Sequence, residues 1–392
     1  MPVNLDAIPA KAPDIRRPVT ARWVMSGVVM FLTGVGMTLW FWPSERTGVR
    51  FWFSATCLPW LIWGSAFALR RIAYQLERIG SVSWNKERER LMASETARGQ
   101  RFAWFIGGYL INALEVGGIK THRAAVKNVP MIEPSLARDG VSVLRHSALP
   151  DRGKPADILA CYLDDICGKA SHLLAQLPPE LPCYLAFDGG ENIVDITDRL
   201  IAGMAYPLRR IHPLSGSRIL DRWLDWQHEI PGALLIVSAQ LYEVAPQDSG
   251  EAITVMLVSN RKLPNMSSPA IRIHRPQPSQ HGDLPHALRH AMLWGNLSKT
   301  APIRGWLTGG KIASESSWVQ ACVTFAPALT GQRTVNIDTV AGYAGTAALW
   351  QAVILAARQC HVDQEPQIVV VESAPSCHQL CAVTSEKSSG IV

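Results

Sequence analysis

The 392-residue chain lacks most of the short motifs that announce a chemistry. It has no GxxxxGK[ST] loop, no GxGxxG after a strand and no GxSxG elbow, which removes the usual phosphate cradles and the hydrolase nucleophile turn. It has no HExxH, and none of its eight cysteines form a CxxC pair. Charge is also scarce: 18% of residues are charged, against about 25% in an average domain. The hydrophobic fraction of 48% is ordinary and excludes general disorder and a polytopic transporter. A low charge fraction at ordinary hydrophobicity points to a local concentration of apolar sequence. Of fourteen tryptophans, six (Trp23, Trp40, Trp42, Trp52, Trp60 and Trp63) stand near the N-terminus.

Trp23 to Trp42 runs without a charge, and so does Phe51 to Leu69. A helix of about 20 residues spans roughly 30 Å, the hydrocarbon thickness of a bilayer. The short PSERTGVR link makes an antiparallel hairpin, and tryptophans at the span ends match interfacial belts. A cleaved signal peptide has a shorter apolar core and a small-residue cleavage site, whereas this run ends in WFWP. Basic residues flank the hairpin on its outer ends, Lys11, Arg16, Arg17 and Arg22 before it and Arg70, Arg71, Arg78, Lys86, Arg88 and Arg90 after it. The positive-inside rule then places both termini in the cytoplasm. The expected organisation is a basic tail (1–22), a transmembrane hairpin (23–69), a juxtamembrane connector (70–154), an α/β domain (155–375) and a flexible tail (376–392). Within the connector, Phe102 to Leu114 is too short to span and reads as a buried strand or an interfacial segment.

Cys360-His361 and Cys377-His378 with Cys381 resemble metal ligands, but no second spaced pair accompanies them, so no metal site is assigned. A cytoplasmic location makes free thiols the expectation. His274, His281, His286 and His290 cluster in sequence and are read as surface histidines. No cofactor is indicated. The +6 charge is modest and mainly juxtamembrane, so nucleic acid is not an expected partner.

Downstream, helical and strand patterns alternate. Ile158 to Leu177, Ile219 to Trp226, Asp283 to Leu297, Ser316 to Leu329 and Thr346 to Arg358 have helical spacing. Pro182 to Phe187, Ala233 to Ala239, Ile253 to Val258, Ile303 to Leu307, Val335 to Ile337 and Gln367 to Val371 are short apolar runs. Continuous apolar strands between helices predict a sheet covered on both faces, a layered α/β fold.

The stretch Val335 to Gln359 resembles the C-terminal motif of β-ketoacyl synthases in the thiolase superfamily, with Gly342 as its glycine and Ala347-Ala348 as its alanine pair. Ala287 to Gly310 is similar to the family's helix, strand and His-Gly-Thr-Gly-Thr turn, keeping Thr308-Gly309. Ile219 to Asn260 resembles the helix after the nucleophile and the strands that follow. The resemblance covers residues 155–375 and implies a thiolase-like fold that dimerises through its central strands. It also implies that the family's histidines fall on Trp306 and Tyr343, its lysine on Asp338, and its nucleophilic cysteine within Pro213–Ser217, where Ser215 and Ser217 stand instead. Condensing enzymes need a cation or base beside the nucleophile, so the expectation is a chain without catalytic residues. Ser215 or Ser217 with His212 is the alternative nucleophile, although a plain polar turn is the more ordinary reading of PLSGS. Cys183 and Cys322 sit in apolar runs that raise a thiol pKa.

The resulting expectation is a non-enzymatic protein of the bacterial inner membrane, whose inactive thiolase-like domain binds protein partners. The resemblance extends to proteins of type VI secretion clusters, implying a secretion effector or the secretion apparatus as partner, and a role in effector handling or immunity. Gly27, Gly34 and Gly36 add a surface for helix association. Two alternatives are a membrane-bound acyltransferase or thioesterase with a relocated nucleophile, and a toxin acting through the hairpin. The sequence leaves open whether Trp306 and Tyr343 fill the acyl pocket.

Overall fold

The computed structural model describes residues 3–387 apart from 44, 138–139, 141, 152, 190–192, 280–281, 311 and 332. Two units divide it, residues 4–95 and residues 96–392 with the first three.

The smaller unit is built on two helices long and apolar enough to cross a membrane, α1 (Thr20–Phe41) and α2 (Val49–Gly99). The interface between them uses small residues against large ones: a side chain on Gly27 would strike the Trp63 ring, and one on Gly34 would strike Pro59. Trp63 Nε1 donates to the Trp23 carbonyl oxygen at 3.0 Å, and its ring stacks on Phe67. Gly27 and Gly34 are thus spent inside the hairpin, whereas Gly36 has open space before it. The rest of both helices presents Val24, Met25, Val28, Leu32, Trp60, Leu61 and Ile62 outward. The second helix continues well beyond the apolar run, so the start of the expected connector is helical.

The larger unit starts inside that connector. Strand β1 (Phe102–Asn112) is followed by helix α3 (Ile119–Val126), the broken pair α4 (Pro155–Cys161) and α5 (Leu163–Leu174), β2 (Cys183–Gly189), α6 (Ile193–Ala202), β3 (Leu208–Arg210), α7 (Arg218–Trp226), β4 (Ala233–Gln240) and β5 (Ala252–Ser259). A second series follows: β6 (Ile271–His274), α8 (Leu284–Trp294), β7 (Arg304–Thr308), α9 (Ser316–Phe325), β8 (Thr334–Asn336), α10 (Asp338–Ala341), α11 (Ala348–Asp363), β9 (Gln367–Ala374) and β10 (Cys377–Ser385).

The strands lie in the order β8-β7-β9-β10-β6-β1-β5-β4-β2-β3. The two series repeat one plan. In each, the second strand pairs parallel with the third and fourth, the fourth antiparallel with the fifth, and the fifth antiparallel with the first. Antiparallel pairing of β1 with β6 joins the halves.

Strand periodicity assigns the faces. Leu234, Ile236, Met256 and Val258 from one half, and Val369, Val371, Cys381 and Val383 from the other, enter one shared core with α7 and α11. Their alternates Leu235, Val237, Val255 and Leu257 pack with α4 and α5, and Ile368, Val370, Leu380 and Ala382 pack with α8 and α9. Two half-sheets therefore enclose a central helical layer, with further helices outside each. This is the predicted sheet covered by helices, and α11 is buried nearly all round as its central place requires.

Two boundaries differ from expectation. Phe102–Asn112 is a full strand in mid-sheet, because its glycines Gly107 and Gly108 let Leu173 and Ile354 press onto the backbone from either face. Residues 377–385 form a strand between β9 and β6, where a flexible tail was expected. Its polar Thr384 and Ser385 are fully buried beside paired backbone. Likewise His274 and His290 are buried, the former held by Thr384 Oγ1 at 2.8 Å and its pKa pushed down to about 3 by burial. His281 lies outside the described residues.

Candidate active site

Helix α7 is strongly two-sided: Ile219, Leu220, Trp223 and Leu224 enter the central core, while Arg218 and Arg222 face out. The chain reaches it through Pro213–Ser217, where Gly216 adopts φ +56°, a left-handed conformation that suits glycine. The loop is tied down from both halves. Gly216 N donates to Asp188 Oδ2 at 2.8 Å, and Ser217 N donates to Gln379 Oε1 at 3.3 Å.

This loop borders a cavity of about 1040 Å³. Ser215 and Ser217 line it with Asp188 and Gln240 from the first half and Tyr343, Thr346, Val371 and Gln379 from the second. It lies at the C-terminal ends of parallel strands β2, β4 and β9 and at the N-terminal ends of both central helices. Open α/β sheets bind ligands at such strand ends, and helix N-termini favour developing negative charge.

Asp188 is a buried carboxylate on the cavity wall, tied to the serine loop through Gly216 N. Burial pushes its carboxyl pKa up, opposed by donors from Trp350 Nε1 (2.9 Å) and Gly216 N. A buried carboxylate with a raised pKa holds a proton more readily than a solvated one, which suits it to proton transfer. Sequence reading missed it; its only signal was the Asp-Gly-Gly ending an apolar strand. His212 is not beside the serines' cavity: its Nδ1 lies 3.2 Å from the Pro213 oxygen, and the ring is exposed.

The other expected site positions separate. Trp306 is fully buried in the central core, its Nε1 donating to Gln367 Oε1 at 2.9 Å, and it does not reach the cavity. Tyr343 lines the cavity wall, its hydroxyl donating to the Glu372 carbonyl oxygen at 2.8 Å. The pocket is therefore open rather than plugged by these aromatics. Asp338 turns away to hold the Thr308-Gly309 turn, accepting from Thr308 Oγ1 (2.6 Å) and Gly309 N (2.7 Å). Burial pushes its carboxyl up to about 6. Cys183 and Cys322 are buried thiols pushed up to about 12, unsuited to attack.

No family model matches the sequence, and neither does any curated protein. Solved structures of similar fold are thiolase-like enzymes. The ishigamide ketosynthase/chain length factor is 11% identical, with 72% of this chain and 99% of that chain covered and a TM-score of 0.48. CsyB complexed with CoA-SH is 12% identical over 72% and 100%, TM-score 0.48. Cerulenin-bound OleA of Xanthomonas campestris is 10% identical over 72% and 96%, TM-score 0.43. Likenesses of this size concern the fold alone. The expectation of a non-enzymatic chain is corrected here: the cavity is open, and its wall carries Ser215, Ser217 and the buried Asp188. Nothing in the fold or in these likenesses supports a link to type VI secretion.

Proposed function

We propose that the chain is a membrane-anchored acyl-transfer enzyme acting on thioesters in the cavity at the start of α7. The observation that carries this reading is the open cavity of about 1040 Å³ with two serine hydroxyls and a buried carboxylate on its wall. The hydroxyl oxygen of Ser217 or Ser215 attacks the thioester carbonyl carbon. The carbon–sulfur bond breaks, and the serine proton passes through Asp188 to the departing thiolate. The thiol leaves and the serine holds the acyl group as an ester, which an incoming hydroxyl, amine or water then releases. Arg218 and Arg222 line the mouth and give phosphate-bearing carriers a favourable approach.

The anchor is the α1–α2 hairpin with both termini cytoplasmic, so the cavity faces cytoplasmic thioester carriers. In this arrangement the bilayer is a partner, and a homodimer is compatible with it.

Incubating the full chain in detergent with acyl-CoA tests the reading. The expected result is released CoA and a mass gain of one acyl group, lost in Ser217→Ala or Ser215→Ala. No release and no adduct would overturn it, and an adduct on a cysteine would overturn the serine assignment. For the anchor, an added cysteine at Thr47 should react with an impermeant thiol reagent from the periplasmic side of intact cells.

A further inference from the structure

The Thr308–Ser317 segment and the β9–β10 hairpin bring together three groups that the acyl cavity does not use. Glu372 and His378 are cross-strand partners on β9 and β10. Glu315, the residue before α9, reaches the same place. One carboxylate oxygen of each glutamate and a ring nitrogen of His378 all lie within 4.8 Å of one another.

His378 separates this cluster from an ordinary acidic surface. Its side chain is 1% exposed. Its Nε2 is buried with no hydrogen-bond partner and lies 3.6 Å from Glu315 Oε1. The other ring nitrogen is fixed: Nδ1 is 3.3 Å from Ser279 Oγ. That hydroxyl already accepts from the His378 main-chain N at 2.9 Å. An Nδ1–H donating to the serine leaves the Nε2 lone pair aimed at the two carboxylates. The other tautomer, with the Ser279 hydroxyl donating to Nδ1, would turn Nε2–H towards Glu315; the Nδ1–H tautomer sets lone pair against lone pair unless a cation lies between them. It suits a cation between them, since metal-binding histidines commonly donate their second nitrogen to an oxygen that fixes tautomer and ring orientation. Glu315 is also oriented, its Oε2 accepting from Ser317 Oγ at 3.3 Å. The Glu372 side chain passes over Gly310, where a Cβ would collide with its carboxylate.

We infer that Glu315, Glu372 and His378 form a site for a divalent transition cation of the zinc class. Bonds of about 2.0–2.2 Å to nitrogen and oxygen place ligand atoms roughly 3.5 Å apart, so the carboxylates close by about an ångström on binding. Two carboxylates and one imidazole leave a coordination position for water. The cation would pin the Gly309-Gly310 turn to the β9–β10 hairpin, next to the strand whose Glu372 carbonyl holds Tyr343. The sequence motif Cys377-His378 with Cys381 thus supplies one ligand, its histidine. Of the other ligands, Glu372 comes from across the hairpin and Glu315 from the start of α9, and Cys381 is buried facing the central core.

Cobalt(II) titration of the full chain in detergent is the test, because its spectrum reports the ligands. One cobalt per chain is expected, with visible d–d bands and no thiolate-to-cobalt charge-transfer band. Glu372→Gln and Glu315→Gln should each weaken binding at least tenfold, while Cys377→Ser leaves it unchanged. Far-UV circular dichroism establishes that each variant is folded. No stoichiometric binding by the parent chain would overturn the site. So would a thiolate band abolished by Cys377→Ser, or undiminished affinity in both folded glutamate variants.

Discussion

The indole Nε1 of Trp350 donates to Asp188 Oδ2 at 2.9 Å, across 162 positions of sequence. Through this bond the central helix of the second half positions the carboxylate that also receives Gly216 N beside the serine loop. Trp350 is fully buried, so its N–H has no access to water if the acceptor is removed. Asp188→Ala should therefore cost roughly 2–4 kcal/mol, two buried donors being left unpaired. Asp188→Asn keeps one acceptor oxygen and should cost less. Denaturant unfolding of the two variants checks the order; equal losses would contradict it.

Asp338 sets a pH dependence of definite sign. Its folded pKa of about 6 lies above its ordinary 3.8, so the folded state binds the proton more tightly than the unfolded state. Its contribution is greatest at low pH and is lost as pH rises from about 4 to 6. At about 1.4 kcal/mol per pKa unit, the loss is about 3 kcal/mol. Asp338→Asn should flatten this part of the stability–pH curve, since the Thr308 hydroxyl can reverse its role towards the amide. Melting temperatures between pH 4 and 7, measured with chelator present, decide it.

A second pH effect has the opposite sign. Asp225 accepts from Arg275 at 2.5 Å and from Arg98 and Arg101, and these cations hold its carboxyl well below the ordinary range despite burial. That stability is present above pH 4 and lost in strong acid. Arg275 is itself buried between Asp221 and Asp225. Arg275→Met should cost about 1.5–3 kcal/mol at pH 7, because the partly buried Asp221 loses its cation while Asp225 keeps Arg98 and Arg101. The Arg275→Met, Asp221→Leu double variant should recover part of that loss in chemical denaturation.

Gly342 has φ +76°, and a Cβ there would collide with the Ser249 carbonyl. It thereby brings Gly250 N within 2.9 Å of the Tyr343 oxygen. Gly342→Ala should destabilise by more than 2 kcal/mol and displace Tyr343 from the cavity wall. A matching fall in acyl-CoA turnover without loss of the fold would be read by activity beside circular dichroism.

The strands readable from sequence were those buried on both faces, such as ALLIVSA in β4 and QIVVV in β9, where no polar position interrupts the run. Strand β10 was unreadable because Cys377, His378, Gln379, Thr384 and Ser385 dilute its apolar residues; in place, their polar atoms bond to neighbours or serve a wall of the cavity. The serine loop was located through the family resemblance, and the cavity does open beside it. Asp188 was not, since its significance arises from Trp350, which no local pattern connects to it. Trp306 illustrates the converse: its alignment with a catalytic histidine left open whether it fills the pocket, and its indole instead takes the acceptor on Gln367 and a place in the core.

The position of β10 has a kinetic consequence. It follows β9 in sequence yet lies between β9 and β6, and β6 emerges about a hundred residues earlier. Until β10 arrives, β6 has no partner on one edge, and the central helices lack Cys381 and Val383 above them. Such long-range pairing delays folding. The second half must stay open until β10 has been made, while the two apolar helices are complete some three hundred residues earlier. The apolar helix pair would then exist well before the larger unit can close.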